Sequence, residues 1–135
     1  MEQSQNQRAG RAPIVLIVDD NPAIRNVVSW SLQFGGYESV EAANGREAVK
    51  WIEQAASEQR YPTVILLDLA MPGMDGKAFM DWLQATWPAQ HPPPSIIIIT
   101  AGYADEKMLN SYVKQIVTKP FHVRDLLEII RKWVV

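Results

Sequence analysis

The sequence predicts a doubly wound α/β fold, with a parallel sheet of five strands covered by helices on both faces. Three observations point there. Short β-branched apolar runs alternate with segments of helical period. The runs are apolar at successive positions, as strands buried on both sides require. Polar or charged residues stand at the carboxyl ends of several runs, where open α/β sheets build their ligand sites.

The first strand is Ile14-Val15-Leu16-Ile17-Val18. Asn21-Pro22 opens a helix, with Pro at its favoured first position. Ile24, Val27, Val28 and Leu32 give that helix an apolar stripe, and Gly35-Gly36 ends it. A short strand is expected over Tyr37–Val40. Asn44 with Glu47 resembles a capping box at the start of a helix that buries Ala48, Ile52 and Ala55. Thr63–Leu67 reads as the third strand, and Asp75-Gly76 as the turn and cap of a helix carrying Phe79 and Leu83. Pro92-Pro93-Pro94 is loop, Ile96–Ile99 the fourth strand and Ile116–Thr118 a short fifth. Val123–Trp133 closes the chain as a helix packing Leu126, Leu127, Ile130 and Trp133.

A chain of 135 residues has room for one domain with a proper core. Hydrophobic residues at 47% and charged residues at 21% belong to a folded globular protein. A formal net charge of −2 supplies no basic field, so direct binding of nucleic acid or anionic lipid is not expected. Cysteine is absent, which excludes disulfides and thiolate metal sites and fits a reducing cytoplasm. The apolar runs are too short to span a bilayer, so no membrane insertion is expected. Residues 1–12 are polar and rich in Gln, and are expected to form a flexible tail ahead of one domain over 13–135.

The strand ends carry the chemistry. Asp19-Asp20 follows strand one, Asp68 follows strand three, Thr100 strand four and Lys119 strand five. Taken alone, Asp19-Asp20-Asn21 reads as a turn and helix cap. Taken together, the strand ends converge on one rim. Three carboxylates there repel one another, and a hard divalent ion is the natural remedy. Mg²⁺ takes oxygen ligands and keeps several waters, and Mn²⁺ could substitute. No His or Cys stands at these ends, which argues against zinc. Thr100 offers a hydroxyl donor, and Lys119 a flexible charge suited to a carboxylate or phosphate.

The ordered set Asp19-Asp20, Asp68 through Gly76, Thr100-Ala101 and Lys119-Pro120-Phe121 resembles the response-regulator receiver family of two-component signalling, over about Ile14 to Val135. The resemblance implies a flavodoxin-like strand order 2-1-3-4-5 and a receiver domain over residues 13–135. It implies that Asp68 accepts a phosphoryl group. Asp20 would ligate Mg²⁺ directly, Asp19 through water, and the backbone carbonyl of Ala70 would complete the metal site. Thr100 would bond the phosphoryl oxygen, Lys119 would contact Asp68 and its phosphate, and Lys119–Pro120 would be cis. The implied donor is a histidine kinase or a histidine phosphotransfer protein, and the implied output is a conformational change read by a downstream protein. Beyond self-catalysed phosphoryl transfer and slow autodephosphorylation, no enzymatic activity is implied.

Other readings compete. A phosphorylation-independent adaptor could share the fold, though the complete acid, Thr and Lys set argues against it. A phosphatase working through an aspartyl phosphate would want an acid–base Asp two residues past the nucleophile, where Ala70 stands. Flavin binding would want a phosphate loop after strand one, and none is present. His91 lies by a Pro-rich loop and His122 at a helix start, so neither is expected to be a phosphodonor. Trp51 and Trp82 fall on apolar helix faces. Trp30 lies on the flank of its stripe, where it is a candidate partner contact. The chain ends at Trp133-Val134-Val135 with no linker or DNA-binding segment, so the expectation is a stand-alone, single-domain switch, with a domain cut from a longer protein as the alternative.

Three departures from the family pattern bear on output. Position 116, commonly aromatic, is Ile116. Ser111-Tyr112-Val113-Lys114-Gln115 lacks the usual Gly-Ala turn. The stretch from Thr100 to Lys119 is about one helical turn short, so the helix between strands four and five is expected to be truncated or irregular.

Overall fold

The computed structural model of the chain describes residues 12–69, 71, 74–101 and 106–134. Its elements run β1 (Ile14–Val18), α1 (Pro22–Phe34), β2 (Glu38–Ala42), α2 (Gly45–Ser57), β3 (Val64–Asp68), α3 (Gly76–Thr86), β4 (Ser95–Thr100), a 3₁₀ turn (Glu106–Met108), β5 (Val113–Thr118) and α4 (Val123–Val134). The strands form a single parallel sheet in the order β2-β1-β3-β4-β5. The expected tail lies outside the described residues except for Ala12.

Strand alternation splits the core into two layers. Leu16, Val18, Ile65, Leu67, Ile96 and Ile98 pack on one face against Ala48 and Ile52 of α2 and Phe79 and Leu83 of α3. Val15, Ile17, Val64, Leu66, Ile97 and Ile99 pack on the other, against Val28 and Leu32 of α1 and Leu126 and Ile130 of α4. β1 and β3 are buried at every position, which is why their runs show no polar alternation. Among the described residues no helix is long and apolar enough to cross a membrane.

The helix starts are built as their caps predict. Asn21 Oδ1 accepts from the amides of Ala23 and Ile24, and Asp75 Oδ1 from that of Ala78. Asn44 Oδ1 accepts from the Glu47 amide. Glu47, however, reaches past the cap residue to the amide of Ala43. At the end of α1, Gly36 takes a φ of 92°, a conformation glycine adopts without a Cβ penalty.

Some expected boundaries shift. β2 covers Glu38–Ala42 rather than Tyr37–Val40, because the Tyr37 amide is used by the Leu32 carbonyl in closing α1. β5 begins at Val113 rather than Ile116. Asn110 Oδ1 accepts from the amides of Tyr112 and Val113 and launches the strand early, on a polar edge that hydrophobic patterning alone does not reveal. In α1, Val27 leaves the stripe and is 51% exposed. Val28 and Leu32 point at the sheet, so a residue one step before Val28 is turned about 100° away. Val27 joins Trp30 and Phe34 on an outward strip at i, i+3 and i+7, with the two rings stacked 5.7 Å apart. Between β4 and β5 the described residues contain one 3₁₀ turn, in keeping with the short span.

Candidate functional site

The strand order reverses between β1 and β3, because the chain leaves β1 for the β2 edge and returns on the opposite side. That crevice is where an open α/β sheet holds its ligand. Asp68 is the last residue of β3 and Thr100 the last of β4, while Asp19 and Lys119 directly follow β1 and β5. Asp19, Asp68 and Thr100 are buried, and Asp20 is exposed at the mouth.

Backbone bonds fix these positions. The Asp19 amide donates to the Ala42 carbonyl at 3.1 Å, extending the β1–β2 ladder by one residue. Asp19 Oδ1 accepts from the Asn21 amide at 2.9 Å, so the acidic turn and the helix cap share one local structure. The Lys119 amide donates to the Thr100 carbonyl at 2.8 Å, and Lys119–Pro120 is cis, as the resemblance implies. Lys119 Nζ stands 3.0 Å from Asp19 Oδ2 and 3.3 Å from Asp68 Oδ2. Burial pulls the ammonium pKa down, but the two carboxylates outweigh it and raise it above the ordinary lysine value.

Carboxylate oxygens of Asp19, Asp20 and Asp68 lie within 4.8 Å of one another. At an effective dielectric of about 20, like charges at that separation repel by roughly 3 kcal/mol, more than an exposed ion pair returns. Lys119 reaches two of the three. Asp19 Oδ2 is fully buried and faces the Lys119 ammonium at 3.0 Å. An oxygen-only cluster in surplus negative charge fits a hard divalent cation. The fourth expected metal contact, the Ala70 carbonyl, lies outside the described residues.

Two contributors were not anticipated from the sequence. Arg25 Nη1 donates to the Asp19 carbonyl at 2.7 Å, and its Nε pairs with Glu41 Oε1 at 3.3 Å. The hint was a single charged residue in α1, placed near its N-terminus where the helix dipole disfavours a cation. Gly76 sits directly on the Asp68 peptide, and its amide donates to the Leu69 carbonyl at 3.1 Å. Beside the site, Ala23, Ile24, Val27, Phe121 and Val123 line an apolar groove of about 580 Å³ that Ala101 and Lys119 also border.

The chain belongs to the response regulator receiver domain family, whose profile matches residues 15–131. It is a receiver domain of two-component signalling, a class of signalling switches rather than conventional enzymes. It is 37% identical over 130 residues to the sensor protein GacS of Pseudomonas syringae pv. syringae, covering 93% of this chain and 14% of GacS. It is 33% identical over 122 residues to the DNA-binding dual master transcriptional regulator RpaA of Synechocystis sp., covering 88% of this chain and 48% of RpaA. The chain therefore spans half or less of these relatives. Among solved structures, a CheY-like receiver domain protein from Methanospirillum hungatei JF-1 superposes with a TM-score of 0.75 at 29% identity, covering 91% of this chain and 94% of the other. The chemotaxis protein CheY4 of Vibrio cholerae gives 0.73 at 31% identity, with coverages of 90% and 98%.

Proposed function

We propose that this receiver domain is a phosphoacceptor switch in which Asp68 takes a phosphoryl group from a phosphohistidine on a histidine kinase or a phosphotransfer protein. The observation that carries the reading is the placement of Lys119 against Asp19 and Asp68, beside a third carboxylate, at the sheet's switch point.

In the reaction, an Asp68 carboxylate oxygen forms a bond to phosphorus while the bond from phosphorus to the donor breaks, and the donor leaves with that electron pair. Such transfer depends on positioning and charge neutralisation. Asp68 is fixed by its place at the end of a fully buried strand. Lys119 stays charged and neutralises the phosphoryl oxygens, and the Thr100 hydroxyl donates to one of them. Asp19, Asp20, Asp68 and the Ala70 carbonyl would hold Mg²⁺, or Mn²⁺ in its place, which supplies positive charge to the transferring group. Both Asp19 oxygens already face protein groups, Asn21 and Lys119, which supports its indirect role. The exposed Asp20 is open for direct ligation.

The donor docks on the apolar groove flanking Lys119, continuous through Val27 with the exposed Trp30 and Phe34 strip. The switch acts in the cytoplasm and is read by a downstream protein. Borohydride reduction of the phosphorylated protein converts an aspartyl phosphate to homoserine. Peptide mapping should place homoserine at position 68, and its appearance elsewhere overturns the assignment.

A further inference from the structure

We propose that Arg25 is a positioning residue for the acidic half of the site, a clamp that holds the Asp19–Asp20 turn in the geometry a divalent ion needs. This rests on the reading of Asp19, Asp20 and Asp68 as the metal site.

The side chain is poorly placed to serve its own helix. It is the single charge on α1 and stands in the positive end of the helix dipole, where a cation is disfavoured. Instead the guanidinium turns back over the β1–α1 turn. Nη1 donates to the Asp19 carbonyl at 2.7 Å, while Nε pairs with Glu41 on β2 at 3.3 Å. The Arg25 side chain is 17% exposed, so this pair is more shielded than an ordinary surface one. One planar fork thus ties the acidic turn to the neighbouring strand, which a lysine's point charge would not do.

The atom it holds matters. The Asp19 carbonyl lies in the same rigid peptide plane as the Asp20 amide, so fixing that oxygen fixes the direction in which Asp20 leaves the turn. The exposed Asp20 carboxylate makes no hydrogen bond to a described residue, so its aim is set by its backbone. The amide side of Asp19 is already held by Ala42, and Arg25 supplies the other half of the grip. Partners that orient metal ligands in this way commonly matter for affinity.

Charge and positioning make opposite demands, and this separates them. A cation beside the cluster by itself opposes binding of another, so deleting it should tighten Mg²⁺ binding if charge were its whole effect. The test is calorimetric titration of Mg²⁺ into the full chain, comparing wild type with Arg25→Met and Arg25→Lys. Met keeps the aliphatic stem, and Lys keeps the charge without the fork. Both should bind Mg²⁺ on the order of tenfold more weakly. Unchanged or tighter binding by Arg25→Met, or wild-type binding by Arg25→Lys, overturns the clamp, including where melting temperature falls. If Arg25→Met fails to fold, Arg25→Lys decides alone. A wild-type protein that takes up no Mg²⁺ overturns the metal reading itself, and the clamp with it.

Discussion

Gly76 stands so close to Asp68 that a Cβ at position 76 would lie 2.6 Å from the Asp68 carbonyl oxygen and 2.7 Å from the Leu69 Cα. Both neighbours are backbone and cannot rotate aside. The first turn of α3 is thereby seated on the peptide that carries the proposed acceptor.

Gly76→Ala should push that peptide away. Overpacking against backbone costs roughly 1–3 kcal/mol, which urea unfolding would measure as a lower midpoint with unchanged slope. The labelling rate at Asp68 should fall as well. A midpoint and rate equal to wild type would show that α3 can retreat without moving the acid.

Lys119 gives a pH signature. Its folded pKa is raised because Asp19 and Asp68 outweigh its burial. A raised pKa means the contribution is complete below the unfolded lysine value, near 10.4, and is lost as pH climbs through the folded value. In metal-free buffer, the melting-temperature difference between wild type and Lys119→Met should be constant from neutral pH to about pH 10 and shrink above it. A difference that shrinks at neutral pH instead would contradict this origin.

Metal binding should relieve the carboxylate repulsion, so Mg²⁺ should raise the melting temperature in a concentration-dependent way. Asp20→Ala should weaken Mg²⁺ more than Asp19→Ala does. Equal Mg²⁺ affinity in the double variant and wild type would remove the metal site.

Output should bypass Ile116. The side chain is half-buried and packs on the α2–α3 layer of the core, and its branched stem restricts rotation. A modification shifts a conformational equilibrium only through contacts that differ between the two states. With beryllofluoride and Mg²⁺, amide shifts should concentrate in residues 101–114 while the Ile116 methyl resonances stay nearly still. A change of Ile116 rotamer would count against this.

The buried strands were plain in the sequence because both of their faces are covered, leaving uninterrupted runs such as Ile96–Ile99. Caps at Asn21, Asn44 and Asp75 were equally plain, since a side chain and its nearby amide define them locally. The convergence of Asp19, Asp20, Asp68 and Lys119 followed from topology, because parallel strands bring their carboxyl ends to one rim. Arg25 and Gly76 were not legible in their roles. Each acts on a backbone atom brought close by packing, and neither contact leaves a periodic trace. The start of β5 at Val113 was hidden for a related reason: an edge strand half open to solvent accommodates Lys114 and Gln115 without an alternating pattern.

Phosphoryl acceptance by Asp68 is decided by intact-mass spectrometry after incubation with acetyl phosphate and Mg²⁺. Wild type should gain the mass of one phosphoryl group, stable in acid and labile in base, and Asp68→Asn should gain none. Unmodified wild-type protein would favour a phosphorylation-independent adaptor, and normal labelling of Asp68→Asn would contradict the assignment outright.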